Sequence, residues 1–295
     1  MIVTRFAPSP TGLLHMGHAF AALTAARAGA RFLLRLEDID TARCREDYVA
    51  AIFEDLNWLG LAWEEPVLRQ SHRAEAYRAA LALLEAKGLV YPCFCTRKAI
   101  ADEIARASAA PHAFDLTAPQ SGPDGPAYPG TCRHLSGADR VKKIEDGMAY
   151  ALRLDAAKAA SLAGPLTFEE HGSGPGGERG TIAAAPLLFG DIVLARKQMP
   201  AAYHLAVVVD DAFQGVTLVT RGHDLFAAAH VQRLLQALLG LPAPDYAHHR
   251  LILDEAGRKF SKRDEAVTLR SLRESGVAPE AVRKRLGFEK IPPSP

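Results

Sequence analysis

Several absences bound this 295-residue chain before any motif is considered. No apolar run approaches the length that a bilayer-spanning helix needs. The opening, Met-Ile-Val-Thr-Arg-Phe-Ala-Pro, lacks the basic, apolar and small-residue succession of a secretory signal. The cytoplasm is therefore the expected compartment, and no membrane partner is expected. There is little net charge: +1 at neutral pH, so no global field announces a polyanion. There is no internal repeat. Cysteines number four, Cys44, Cys93, Cys95 and Cys132, too few for a disulfide scaffold. A bond between Cys93 and Cys95 would be strained, so closely spaced cysteines are better read as metal ligands or core thiols.

Charge is unevenly placed. From Arg250 to Lys290 there are eleven Lys or Arg against seven Asp or Glu. This local excess suggests a polyanion-facing patch.

The pattern of elements indicates an α/β protein. Ile2 to Phe6 reads as a short buried strand, and Pro8, Pro10 and Gly12 impose a loop. An Ala- and Leu-rich helix follows to Ala28, and Arg31 to Leu36 reads as a second strand. Such a unit implies parallel pairing. Asp47 to Leu59 and Arg73 to Lys87 carry helical spacing, with Gly88 placed to stop the second helix. A short helix is expected after Arg97, and Pro111 to Pro126 reads as a mobile insertion. Tyr150 to Leu154, Asp191 to Leu194 and Val216 to Thr220 are expected strands, and Gly172 to Gly180 a loop. Leu205 to Val209, a continuous apolar run closed by Asp210-Asp211, is expected to be a strand buried on both faces. Asp224 is the expected N-cap of a helix to Leu239, closed by Gly240. The tail is expected to be helical and charged.

Two motifs carry chemistry. His15-Met16-Gly17-His18 sits where a loop turns into a helix. A helix N-terminus presents unpaired N–H groups and partial positive charge, both suited to phosphate oxygens. Imidazoles there can donate to the same oxygens, and Gly17 admits a flat base or ribose. Lys259-Phe260-Ser261-Lys262-Arg263 places two mobile ammonium groups three residues apart, able to close over a triphosphate. Either motif alone is weak. Together, in this order and over 240 residues apart, they are specific.

With Ala7-Pro8-Ser9-Pro10-Thr11-Gly12, Arg35-Leu36-Glu37-Asp38-Ile39-Asp40, Tyr203 to Asp211 and Thr220-Arg221-Gly222-His223-Asp224, the chain resembles the glutamyl branch of the class I aminoacyl-tRNA synthetases. The resemblance extends to about Phe288 and implies a Rossmann-type catalytic core. It places L-glutamate among Arg5, Ser9, Glu37, Tyr203 and Arg221. A guanidinium fork suits a carboxylate, and Glu37 would face the ammonium. ATP would lie along His15, Gly17, His18, Lys259, Ser261 and Lys262, with Mg²⁺ on its phosphates. His15, His18 and Lys262 would steady charge as the glutamate α-carboxylate attacks the α-phosphate. Arg263, where that class carries serine, leaves both lysines intact.

The chain ends roughly 30 residues after the lysine loop, so no anticodon-binding domain is expected. In this it resembles the glutamyl-Q tRNA(Asp) synthetase family, which transfers glutamate to the queuosine base in the anticodon loop of tRNA(Asp). That family's Cys-x-Cys, Tyr-x-x-x-Cys pattern is met by Cys93-Phe94-Cys95 and Tyr128-Pro129-Gly130-Thr131-Cys132. The resemblance thus implies one structural Zn²⁺ on Cys93, Cys95, Tyr128 and Cys132, with His134 the alternative fourth donor and Cys44 a plain thiol. The implied domains are 1–92 and 188–240 for the two halves of the catalytic fold, 93–187 for a zinc-bearing acceptor-type insertion, and 241–295 for a helical stem-contact-like region with the lysine loop. Nothing demands more than a monomer.

Three rivals are distinguishable. A truncated or discriminating glutamyl-tRNA synthetase would charge the terminal adenosine of tRNA(Glu). A cytidylyltransferase or pantothenate-type ligase shares the His-x-Gly-His signature but has no need of Arg5, Glu37, Tyr203 and Arg221. A silent tRNA-binding paralogue would fail to exchange pyrophosphate with glutamate.

Overall fold

The computed structural model describes residues 1–108, 121–122, 125–126, 128–197, 199–252 and 267–289. The mobile-insertion reading of 111–126 falls almost wholly outside these, as do Lys259, Ser261 and Lys262. Of 111–126 only two short paired strands are described, β5 (Ser121–Gly122) and β6 (Gly125–Pro126).

The first half is the expected strand, loop, helix, strand unit. β1 (Val3–Phe6) pairs in parallel with β2 (Arg31–Leu36), and β2 in parallel with β3 (Glu64–Arg69). Helices α1 (Met16–Ala28) and α2 (Glu46–Trp58) connect the strands. β1 is buried at every position, as a central strand covered on both faces must be. Leu14, Leu23, Leu34, Ile52 and Leu56 form the centre of the core between this sheet and its helices.

The second half repeats the parallel logic. β11 (Leu218–Gly222) lies parallel to β12 (Asp245–His249), and Tyr246 of β12 pairs in parallel with Glu170 of β8 (Thr167–Glu170). An antiparallel strand, β9 (Gly180–Ala183), completes that sheet, and the expected loop of 172–180 joins β8 to β9, except that Gly180 already belongs to β9. The two sheets meet where Thr217 N–H donates to the Val3 carbonyl and Val3 N–H to Thr217 Oγ1. A third, antiparallel sheet has the order β10 (Val193–Arg196), β7 (Ala151–Leu154), β4 (Val90–Cys93). Helix α3 (Ala74–Ala86) packs beside β4, and α4 (Arg97–Ser108), α5 (Gly137–Glu145) and α6 (Ala156–Ala163) follow in the chain.

Two local expectations are corrected. Residues 205–209 are not a strand but the middle of helix α7 (Tyr203–Phe213). A continuous apolar run fits a helix buried nearly all round as well as it fits a buried strand, and periodicity cannot separate the two. Here α7 is enclosed by α3 and by α8 (Phe226–Leu239), so Leu205, Ala206, Val207 and Val208 are all buried. Asp224 is not the N-cap of α8. It lies inside a 3₁₀ turn, His223–Leu225, and Leu225 takes the cap position. Gly240 does close α8 in the left-handed region, at φ 64°.

The tail is helical, α9 (Leu269–Glu274) and α10 (Pro279–Arg285), but it is more than a charged surface. Leu269, Val282, Leu286 and Phe288 enter the core beside α1 and α2. Arg283 donates to the Leu59 carbonyl at 3.0 Å. Thr268 bridges to His15, and Leu269 N–H donates to the Leu14 carbonyl. The chain just after the lysine loop is therefore anchored to the start of the first motif.

Candidate functional site

One cleft of about 580 Å³ opens between the two parallel sheets. Its wall includes Arg5, Ser9, Glu37, Tyr203 and Arg221, the five residues expected around glutamate. His15, Gly17 and His18, expected at the nucleotide, line it too. These side chains come from β1, the start of α1, the end of β2, the start of α7 and β11. The fold brings together every candidate substrate residue that lies within the described residues.

The histidine motif builds its own geometry. His15 is the N-cap of α1, and its Nδ1 accepts from Gly17 N–H at 3.1 Å. His18 Nδ1 accepts in return from His15 N–H at 3.2 Å, a reciprocal capping pair. With Nδ1 accepting on each ring, a neutral imidazole carries its proton on Nε2 as a donor. The two rings lie 3.8 Å apart, centroid to centroid. Gly17 relieves crowding: a Cβ there would stand 3.0 Å from His15 Cε1 and press on the ring. The motif's glycine thus protects the placement of the histidine ring as well as lining the cleft.

Below the cleft floor sits a buried ionic network. Asp211 of α7 accepts from Arg5 Nε at 2.9 Å and from Arg35 Nη1 at 2.7 Å. Arg35 is fully buried, donates also to Gln214 Oε1 at 3.0 Å, and approaches Glu37 Oε1 at 3.5 Å. Burial opposes the charge on Asp211, but Arg5 and Arg35 outweigh it and hold its carboxyl below the usual range. Burial, only partly offset by Arg35 and Arg5, pushes the Glu37 carboxyl up. Glu37 is therefore the under-compensated acid of the pair, suited to a cationic group arriving in the cleft. The neighbouring Asp210 points elsewhere, accepting from Tyr77 (2.6 Å), Gln70 (2.8 Å) and Arg73 (3.1 Å). Adjacent helical residues are about 100° apart, so one Asp-Asp pair ties α7 to two different layers.

Arg221 is held from the other side. Its Nε donates to His248 Nε2 at 3.0 Å and its Nη1 to Gln232 Oε1 at 2.8 Å. Arg221 Nη2 and Thr220 Oγ1 are buried with no hydrogen-bond partner among the described residues. Both residues line the cleft. Such orphaned groups are costly unless something polar pairs with them, so they mark where a ligand's acceptors would fall. A second wall holds Phe20, His249 and Arg250. The Phe20 and His249 rings meet edge-on at 5.0 Å, and Arg250 lies over Phe20 at 5.1 Å.

The cysteines cluster about β4. The Sγ atoms of Cys93, Cys95 and Cys132 all lie within 4.8 Å of one another, and Cys95 and Cys132 are 3.5 Å apart. Tyr128 Oη stands 3.6 Å from Cys95 Sγ and accepts from Cys132 N–H at 2.8 Å. Gly130, at φ 89°, allows the turn that returns Cys132 to β4, and a Cβ there would meet Arg133 Nη2 at 2.6 Å. A tetrahedral zinc thiolate has sulfurs about 3.8 Å apart, so the donor set fits such an ion. His134 is exposed and does not belong to this group of donors, and neither does Cys44.

Sequence reasoning missed several residues that shape the cleft. Asp211 and Arg35 were visible only as parts of longer motifs, without a role. Glu170, His248 and Gln232 carried no signal, because each matters only through Arg221. Among the described residues no helix is long and apolar enough to cross a membrane.

Comparison with known proteins follows the same lines. A family model described as "tRNA synthetases class I (E and Q), catalytic domain" matches residues 1–293. The chain is 49% identical to a glutamyl-Q tRNA(Asp) synthetase of Rhodobacter capsulatus, over 97% of this chain and 100% of that protein. It is 41% identical to one of Symbiobacterium thermophilum, over 98% and 86%. A crystal structure of glutamate-tRNA synthetase from Elizabethkingia anophelis superposes with a TM-score of 0.75 at 26% identity, covering 99% of this chain and 64% of that one. The chain thus spans under two thirds of that structure. A match along nearly the whole chain, in sequence and in fold, places the protein in the class I (E and Q) tRNA synthetases, in their glutamyl-Q tRNA(Asp) synthetase family.

Proposed function

We propose that this chain activates L-glutamate with ATP to glutamyl-adenylate and passes the glutamyl group to the queuosine base in the anticodon loop of tRNA(Asp). The observation that carries this reading is the cleft itself. Arg5 and Arg221 stand in its wall with Glu37 and Tyr203, beside a helix start capped by two histidines.

The chemistry assigned to each group follows from its setting. Glutamate brings two carboxylates and one ammonium. Arg221, with one guanidinium nitrogen unpaired, suits a carboxylate, as does Arg5 in its fixed orientation. Glu37 takes the ammonium, and the hydroxyls of Ser9 and Tyr203 complete the polar wall. ATP lies along Gly17, with its phosphates toward the start of α1, where backbone N–H groups and the Nε2–H of His15 and His18 favour negative charge. Lys259, Ser261 and Lys262 lie outside the described residues. The anchoring of Thr268 and Leu269, which follow in sequence, to His15 and Leu14 supports assigning Lys259, Ser261 and Lys262 to the same nucleotide. The α-carboxylate attacks the α-phosphate, pyrophosphate leaves, and the protein contributes positioning and charge stabilisation rather than a covalent intermediate. Mg²⁺ would accompany the triphosphate.

Cys93, Cys95, Cys132 and Tyr128 would hold one structural Zn²⁺, which supplies a cross-link between β4 and the turn at 131–134. The acceptor-type insertion is assigned to 93–187, the catalytic halves to 1–92 and 188–240, and a stem-contact-like role to 241–295. β8 and β9 of the insertion segment lie on the sheet that carries β11 and β12.

Labelled glutamate transfer tests the reading, with tRNA(Asp) carrying or lacking queuosine beside tRNA(Glu), and with the terminal adenosine removed enzymatically. Label on queuosine-bearing tRNA(Asp) alone is the expected result. Label on tRNA(Glu) would make this a compact charging enzyme instead.

A further inference from the structure

Arg221 and His248 are register partners on the parallel strands β11 and β12. An arginine Nε–H can only donate, so the His248 Nε2 that it meets at 3.0 Å must offer a lone pair. The imidazole proton then sits on Nδ1, 2.5 Å from Glu170 Oε2. The other carboxylate oxygen, Oε1, accepts from Gly172 N–H at 2.8 Å and from His248 N–H at 2.9 Å. The side chains of Glu170 and His248 have no exposed surface. The His248 ring is held flat against Tyr246, interplanar angle 7°, and edge-on to Phe226 at 5.0 Å. Every donor and acceptor in this chain has one assignable direction, from two backbone amides to the guanidinium. Gln232 takes Nη1, which leaves Nη2 as the unpaired nitrogen.

We infer that Glu170 and His248 are positioning residues for the amino-acid substrate: together they fix the tautomer and rotation that aim Arg221 at a substrate carboxylate. Neither touches the cleft. The inference rests on the reading that Arg221 binds glutamate. A core histidine serving packing alone would need neither a saturated buried carboxylate on one nitrogen nor an arginine Nε–H on the other.

The sharpest perturbation is Glu170→Gln. It preserves shape, but its single oxygen cannot serve two backbone amides and the imidazole N–H, so the histidine tautomer loses its determinant. His248→Gln keeps an acceptor for Arg221 and a donor toward Glu170. The test is ATP–pyrophosphate exchange by the full chain and by E170Q, H248Q and R221K. Glutamate is titrated at saturating ATP and ATP at saturating glutamate. Melting temperature is followed in each, and ¹⁵N NMR of the histidine rings in wild type and E170Q.

E170Q and R221K should each raise KM for glutamate about tenfold, the scale of one well-aimed charge-assisted contact. KM for ATP should stay within about twofold, H248Q should be the milder variant, and the NMR should change from one Nδ1–H tautomer to a mixture. Three results would overturn the inference. If R221K raises KM for glutamate but E170Q changes neither KM nor tautomer, the positioning role fails while the Arg221 reading stands. If R221K itself leaves KM for glutamate unchanged, both fail. If E170Q raises both KM values together with a lower melting temperature, the pair is purely structural.

Discussion

Asp211→Asn is the perturbation whose magnitude is best defined by the structure. The substitution keeps size and removes one charge from a site where Asp211, Arg5 and Arg35 are all nearly inaccessible. Two buried guanidiniums would then keep Glu37, which lies 3.5 Å from Arg35, as their nearest carboxylate, with Asp210 acting on Arg35 from farther off. Breaking a buried, hydrogen-bonded charge set from one side costs about 3–5 kcal/mol, mostly from the charges left behind. Against a total stability of about 5–15 kcal/mol this is a large share. In a chain of this size it corresponds to a drop of roughly 10 °C in Tm. The sign with pH follows from the depressed carboxyl of Asp211. The contribution is full above the ordinary aspartate range, near pH 4, and is lost as pH falls through the lower folded-state value. Thermal unfolding followed by circular dichroism at pH 7.5, and again in steps toward pH 3, measures both features. KM for glutamate should rise in the same variant, because Arg5 loses the group that orients it. A D211N protein melting within about 2 °C of wild type at pH 7.5 would refute the claim that this carboxylate carries the network.

Other outcomes follow from the proposed roles and from the geometry. Lys262→Ala should abolish adenylate formation with an unchanged circular dichroism spectrum; unaltered pyrophosphate exchange would remove Lys262 from the site. Replacing Cys93 and Cys95 by serine should release the metal and lower stability, and equal zinc content by atomic emission would show that the cluster is not its site. Asp55 is buried on α2 beside Arg273 at 3.6 Å, and burial, only partly offset by Arg273 and Arg270, pushes its carboxyl up to about 6. A raised acid makes the folded state less stable once pH exceeds the unfolded value, so Asp55→Asn should stabilise by about 1–3 kcal/mol at pH 8 and by much less at pH 5. A variant equally stable or weaker at pH 8 would sink that account.

Much of the site was legible because its determinants are local. His15-Met16-Gly17-His18 contains its own cap, its own capping partner and the glycine that makes room for a ring. The closely spaced Cys93 and Cys95 suggest donors, the family resemblance adds Tyr128 and Cys132, and Gly130 supplies the turn that brings Cys132 to the other two thiols. Strands β1 and β2 were visible as short, largely apolar runs bounded by turn residues, though each also carries a buried arginine, Arg5 and Arg35. The apolar run of 205–209 misled for the complementary reason, since burial on all sides erases the period that separates helix from strand.

The sequence by itself determined the nucleotide motif, the family and the list of groups able to meet a dicarboxylic amino acid with ATP. Only the tertiary structure decided how those groups are aimed. Asp211 meets Arg5 and Arg35 across 206 and 176 residues, and His248 meets Glu170 across 78. No local pattern encodes such pairs, because a hydrogen bond's direction depends on where two strands come to lie. Whether a buried guanidinium is neutralised or left with one nitrogen to offer depends on the same placement.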